Sequence, residues 1–301
     1  MPGMDGYEVC QRLKAQEKTK NIPVIFVSAL GEERNQMKGF QLGAVDYITK
    51  PFSPSLVRAR VQSHLELKRH RDRLEELVQE RTHELELTQE VTVECLGSLA
   101  EYRDMETGNH VKRMKCYIKL LAEKLKNHPR FEKALAGAMI EMICKSAPLH
   151  DIGKVGVPDK ILKKPGRLTA EEFEEMKRHT LYGRDALAHS ARKLGKGSFL
   201  DVAQEIAYTH HERWDGTGYP EGLSGEAIPV VGRLMALSDV YDALISRRVY
   251  KDPFSHEETV RTIKGAKGSH FDPDVVEAFL ELEKEFEKIA LDYNDDEAAK
   301  E

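Results

Sequence analysis

Residues 22–30, IPVIFVSAL, form a short apolar run held between Pro23 and Gly31. Such a run predicts a buried strand of a parallel sheet. Residues 32–44 carry apolar positions at helical spacing and close near Gly43, and residues 45–52 give a second short strand. Strand, helix and strand in that order make a βαβ unit, and residues 1–54 are assigned to it. Residues 55–103 read as one long helix, because no Pro or Gly falls between Ser55 and Glu94. Leu74, Val78, Arg81, Leu85, Thr88, Thr92, Cys95 and Leu99 follow a 4-3 spacing. That spacing suits a coiled coil, although its polar members weaken the seam. The helix is expected to form a homodimer; the alternative is a helix docked on its own domain. Residues 104–290 are read as mostly helical, with apolar positions at helical spacing in 109–125, 132–147, 169–189, 201–210 and 272–290. Thr169 and Glu172 fit a capping box. The acidic segment 291–301 is expected to fray. The fold class is therefore mainly α: a helical bundle, preceded by a long coiled-coil-like helix and a partial α/β segment.

Composition narrows the chemistry. No apolar run approaches the ~20 residues of a membrane span, and no secretory signal opens the chain. The formal net charge of −5 argues against a large footprint on duplex nucleic acid. The four cysteines, Cys10, Cys95, Cys116 and Cys144, contain no CxxC pair and read as reduced thiols of a cytoplasmic protein.

The twelve histidines matter more by place than by number. Glu106 and His110 are four residues apart and share a helix face. His150 adjoins Asp151, His179 sits near the middle of the helix predicted over 169–189, and His210 adjoins His211. Asp239 follows the apolar run VVGRLMALS. Imidazoles and carboxylates without thiolates suit iron, manganese or zinc, and argue against a structural zinc site. Burying such groups without partners costs about 2–7 kcal/mol for a neutral polar group, and a bound cation removes that cost. His64, His70, His83, His128, His189 and His256 read as ordinary surface or core histidines, and His270 as a turn residue.

Three motifs in order carry a resemblance: HDIGK (150–154), HHERWDGTGYP (210–220), and the ordered Glu106/His110, His179 and Asp239. Together with SDVYDALISRRVYK (238–251) and GSHFDP (268–273), they resemble the HD-GYP family of the HD phosphohydrolase superfamily over roughly residues 95–285. The resemblance implies an HD-type metal-binding bundle over 104–290. It also implies a metal-dependent phosphodiesterase that cuts cyclic di-GMP to pGpG, and in some members to GMP, by metal-activated hydroxide. His150, Asp151, His179, His210, His211 and Asp239 would be ligands of two divalent metals, most often iron and alternatively manganese, with Asp151 bridging. Glu106 and His110 would add a third metal. Asp151 and Lys154 would be catalytic, with Lys154 touching the scissile phosphate. Arg248 and Lys251 would hold the phosphates, and Tyr219 would shape the substrate pocket on a loop that meets partner proteins. Glu212 and Asp215 are candidates to orient the histidine pair. Pro148, Thr180 and Val249 depart from the usual pattern without removing a ligand; Pro148 predicts a kink before His150. The alternatives are a cyclic GMP-AMP phosphodiesterase, a non-catalytic effector that binds a cyclic dinucleotide, and a general nucleotide phosphohydrolase.

MPGMDGYEV, Ser28-Ala29 and GAVDYITKPF resemble the second half of a response-regulator receiver. Ser28 would be the switch hydroxyl, Lys50 the phosphate-pairing lysine, and Lys50-Pro51 a cis bond. The phosphoacceptor aspartate of a receiver precedes the MPG turn, where Met1 stands. The reading is an incomplete receiver, from a fragment or an internal start.

Overall fold

Ile25–Ser28 (β1) and Asp46–Thr49 (β2) pair in parallel, with Ile25 opposite Asp46 and Ser28 opposite Thr49. They belong to a computed structural model that describes residues 3–29, 33–103, 108–246 and 253–294. Chain contacts divide it into two units, Met1–Glu86 and Leu87–Glu301.

In the first unit, Gly6–Ala15 (α1) is capped by the Asp5 carboxylate, which accepts the Glu8 amide at 2.9 Å. Glu33–Gln41 (α2) crosses between the two strands, so the βαβ reading holds. Phe26 of β1 fills the small core between the rings of Tyr7 and Tyr47. Asp46 binds Arg60 at 2.6 Å and lies 3.3 Å from His64 Nε2, so His64 is an ordinary hydrogen-bonded histidine of this unit. The Lys50-Pro51 bond is cis. Pro54–Tyr102 (α3) is one continuous helix, and the boundary between the units falls inside it.

The second unit is a helical bundle. After the end of α3 come Gly108–Leu125 (α4), Met139–Ser146 (α5), Asp159–Leu162 (α6), Ala170–Lys177 (α7) and His179–Leu194 (α8). Phe199–Thr209 (α9), Val230–Ile245 (α10), His256–Gly265 (α11), Pro273–Glu281 (α12) and Glu283–Asp292 (α13) complete it. Helix α10 is buried on all sides from Val231 to Ser238, which makes it the axis of the bundle. Tyr117 of α4 stacks on Phe286 of α13 at 4.5 Å and meets Tyr241 of α10 edge-on at 5.2 Å. Among the described residues, no helix is long and apolar enough to cross a membrane.

Three helix predictions need correction. The helix expected over 132–147 begins only at Met139, because Gly137 takes a left-handed φ of +61° that a helix cannot contain. The helix expected over 169–189 breaks at Arg178. The helix expected over 272–290 breaks at Leu282, and the bend lets Phe279 and Phe286 enter one core. The capping box of Thr169 and Glu172 is formed. The tail prediction for 291–301 falls largely outside the described residues, and α13 itself runs to Asp292.

Candidate metal centre

Helix α5 gives way to a 3-10 turn at Ala147–Leu149, with Pro148 inside it, and His150 follows as its cap. A second 3-10 turn, Ile152–Gly156, follows Asp151. These turns place His150 and Asp151 on a tight bend pressed against α8. A Cβ on Gly153 would stand 1.9 Å from the His179 carbonyl oxygen, so only glycine admits this approach.

His179 therefore opens α8 and does not lie mid-helix. Its ring nitrogen Nδ1 lies 2.7 Å from the Met176 carbonyl, an oxygen that an unbroken helix would give to the Thr180 amide. Two other rings are held the same way. His150 Nδ1 lies 3.1 Å from the Ala147 carbonyl, and His210 Nδ1 lies 3.1 and 3.2 Å from those of Ile206 and Ala207. A ring that donates from Nδ1 presents the lone pair of Nε2. The structure thus aims three Nε2 lone pairs inward using main-chain carbonyls. Glu212 and Asp215, expected to orient the histidine pair, do other work. Glu212 accepts the amides of Glu221 and Leu223 at 2.8 and 2.9 Å, and Asp215 accepts the Thr217 amide at 3.0 Å.

Asp151 is the focus. Its Oδ1 lies 3.3 Å from His179 Nε2 and 3.5 Å from His210 Nε2. Its Oδ2 lies 2.8 Å from Lys154 Nζ and 3.3 Å from His150 Nε2. Asp239, on α10, reaches within 4.0 Å of His150 Nε2. The His211 ring lies 4.0 Å from that of His210 and 5.1 Å from that of His179. Asp151, His179, His210 and His211 each offer a donor atom within 4.8 Å of the others. A second group, Glu101, His110 and His150, satisfies the same limit.

The electrostatics are those of a site built for a cation. Burial opposes charge on Asp151, yet Lys154 and His150 hold its carboxyl well below the ordinary value. Burial depresses His179 to about 4, and burial beside His210 holds His211 well below the usual imidazole range. Those rings stay neutral, as ligands must. Burial also works against charge on His150, but the adjacent Asp151 raises it on balance. His150 Nε2, Asp151 Oδ1, His179 Nε2 and His210 Nε2 are buried with no hydrogen-bond partner. Converging orphaned donors of this kind fit divalent metals in an oxygen and nitrogen site.

Sequence reasoning overlooked Glu101, at the last turn of α3, and Asp242, which lies 2.7 Å from His110 Nδ1. Glu106, Arg248 and Lys251 lie outside the described residues.

The loop after the histidine pair is built on them. A Cβ on Gly218 would lie 2.4 Å from the Arg213 nitrogen and 2.6 Å from the His211 carbonyl oxygen. The Tyr219 amide donates to that same carbonyl at 3.2 Å, and the Tyr219 ring stacks on His211 at 4.7 Å. Tyr219-Pro220 is cis. Trp214 is packed structurally: Arg130 and Arg233 lie 5.3 and 5.9 Å from its ring, and its amide donates to the His270 carbonyl.

Comparison with known proteins agrees with this geometry. The HD domain family matches residues 94–275, and the response regulator receiver domain matches residues 1–62. A probable cyclic di-GMP phosphodiesterase of Vibrio cholerae is 48% identical over 99% of this chain and 70% of its own length. The cyclic di-GMP phosphodiesterase response regulator RpfG of Xanthomonas campestris pv. campestris is 36% identical over 96% of this chain and 75% of its own. A 3′3′-cGAMP-specific phosphodiesterase of Vibrio cholerae is 43% identical over 67% of this chain and 36% of its own. With more than half of its residues matched and its histidine–aspartate pair at the focus of a buried donor cluster, the chain belongs to the HD domain family, with receiver-type sequence at its amino end.

Proposed function

We propose that this protein hydrolyses cyclic di-GMP to pGpG at a divalent metal centre. The observation that carries the reading is the convergence of three orphaned Nε2 atoms on a buried, ionised Asp151. His150, Asp151, His179, His210, His211 and Asp239 would hold two divalent metals, iron or alternatively manganese, and His110 and Glu106 would extend the set to a third. When bound, such cations make water nucleophilic near neutral pH and neutralise charge on the phosphoryl oxygens.

The chain's own residues supply the rest. Lys154, fixed 2.8 Å from Asp151, keeps a positive charge beside the reacting phosphate, where negative charge develops. Tyr219 forms one wall of the pocket, stacked on His211 and edge-on to Phe173 at 6.2 Å. Arg248 and Lys251 hold the ligand's phosphates. Burial of the rings excludes bulk water, so each charge acts in a low dielectric.

Cyclic GMP-AMP is the second reading, favoured by the 43% identity to a relative named for that substrate. The long helix forms a homodimer: all eight positions of its 4-3 seam are exposed in the single chain, including Leu74, Val78, Leu85 and Leu99. The loop around Tyr219 receives protein partners. Residues 1–54 act as a receiver-like segment, 55–103 as a signalling helix and 104–290 as the catalytic domain of the HD-GYP type, in the cytoplasm.

The test is turnover of cyclic di-GMP and of 3′3′-cyclic GMP-AMP by protein prepared without oxygen and supplied with iron or manganese. Conversion to pGpG, lost on chelation and in Asp151→Ala, is expected. A folded, metal-loaded protein that converts neither dinucleotide would leave the effector reading in its place.

A further inference from the structure

The carboxyl end of α3 meets the bend that carries His150 and Asp151, and it meets that bend on both sides. Gly97 touches the near side. A Cβ on Gly97 would stand 2.4 Å from the Pro148 carbonyl oxygen and 3.1 Å from its carbon. The obstacle is backbone, so the helix comes this close only where it has no side chain. One turn earlier, buried Val93 packs in a single apolar cluster with Leu149, the residue before His150. Arg103, the residue after α3, touches the far side. Its Nη1 donates to the Val155 carbonyl at 2.6 Å and to the Lys154 carbonyl at 3.4 Å, and its Nη2 pairs with Asp159.

Very little chain separates these contacts from the reacting groups. On the near side, Pro148 lies in the 3-10 turn that His150 caps. On the far side, the Lys154 amide donates to the Asp151 carbonyl at 2.9 Å, and the Val157 amide to the Lys154 carbonyl at 3.1 Å. Arg103 therefore holds carbonyls of the same turn that presents Asp151 and Lys154, whose side chains meet at 2.8 Å. Packed segments pass a displacement on to their neighbours rather than absorbing it. A shift of α3 relative to α8 and α9 would reach the His150–Asp151 bend through Gly97 and through Arg103 together.

We propose that Gly97 and Arg103 are positioning residues: through them α3 fixes where His150, Asp151 and Lys154 stand, and so sets the turnover number. The inference rests on reading the Asp151 cluster as a metal-dependent phosphodiesterase site. It adds control of that site by a helix that lies outside the HD and HH motifs. The competing account is packing alone, in which these contacts hold the fold together and leave the site's geometry untouched.

The experiment uses the full-length chain prepared without oxygen: wild type, Gly97→Ala, Arg103→Gln, Arg103→Lys and Val276→Ala. Visible absorption of cobalt-loaded samples reads the geometry of the ligands, and kcat and KM for cyclic di-GMP are measured with manganese. Gly97→Ala and Arg103→Gln are expected to change the cobalt spectrum and to lower kcat about 10- to 100-fold, with KM held within about twofold. Arg103→Lys, which keeps a cationic donor for the carbonyls, should recover part of both. Val276→Ala truncates a buried side chain of α12, and it should lower the melting temperature alone. Should Gly97→Ala fail to fold, Arg103→Gln carries the test, because that side chain is 31% exposed. Folded Gly97 and Arg103 variants with the wild-type spectrum and kcat would overturn the proposal in favour of packing. Wild type that binds cobalt but converts no cyclic di-GMP would defeat the phosphodiesterase reading, and the spectra would then decide the positioning role. Wild type that binds no cobalt would defeat the metal centre and the proposal with it.

Discussion

The alpha carbon of Gly153 faces the carbonyl of His179 so closely that an added methyl would sit 1.9 Å from the oxygen and 2.4 Å from the Gly183 nitrogen. Both obstacles are backbone, so neither can swing aside. Gly153→Ala must push the His150–Asp151 bend away from α8 and spread the ligands. Its unfolding free energy is expected to fall by about 1–3 kcal/mol, with metal content reduced. Gly265→Ala, where a Cβ meets nothing within 4 Å, is the control and should leave both unchanged. Thermal melts with elemental analysis check the pair.

Asp272 carries two arginines. Its carboxylate takes Arg233 at 2.9 Å and Arg130 at 3.1 and 3.2 Å, and caps α12 through the Asp274 amide. Asp272→Ala leaves Arg233 as a buried, unpaired cation, at a cost of about 3–5 kcal/mol in urea unfolding. Both arginines flank the chain's single tryptophan, Trp214. Its fluorescence should therefore shift in the native state of the variant, before any unfolding.

Metal removal has a stability signature apart from activity. A ligand that binds only the folded chain at a hundred times its Kd adds about 2.7 kcal/mol. Chelated protein is expected to stay folded but melt several degrees lower, and iron or manganese should restore the midpoint. A midpoint indifferent to both would count against the site.

Acid should weaken the chelated protein partly through Asp242. Burial works against its charge, but His110 and Arg113 bring its carboxyl down to about 2 from an ordinary 3.8. A carboxyl depressed on folding contributes stability that is complete above the unfolded value and lost as pH falls through the folded one. The contribution is about 2 kcal/mol. The gap in unfolding free energy between wild type and Asp242→Asn should therefore be widest above pH 5 and narrow toward pH 3.

Leu74, Val78 and Leu85 are 62%, 63% and 70% exposed in the single chain. Replacing all three by lysine should convert a dimer to a monomer in light scattering. An unchanged mass would remove the seam as the interface.

Much of this was legible in the residues themselves. The βαβ order, the uninterrupted α3 and the capping box at Thr169 follow from local pattern, while the gathering of His150, Asp151, His179, His210 and His211 is what the family resemblance of the HD and HH motifs implied. Gly137, Arg178 and Leu282 break helices whose apolar spacing runs on past them; at Gly137 the break is the residue's own left-handed backbone. At Arg178 the compensation is a histidine ring taking a main-chain oxygen, which no periodicity encodes. Glu101 did leave a signal. Val93, Gly97, Ala100 and Glu101 fall at i, i+4, i+7 and i+8, one buried face of a helix whose other positions are half-buried or exposed. A carboxylate on the only buried stripe of α3 needs a reason, and the polar run that precedes it hid the question.

The loop from His211 to Leu223 has no slack. Tyr219 is bonded to the carbonyl of His211, Gly218 rests on residues 211–213, and Glu212 clasps the far side through two amides. A pull on this loop from outside acts directly on His211, whose ring is within reach of Asp151. Grip and chemistry there share a single lever arm, one peptide unit long.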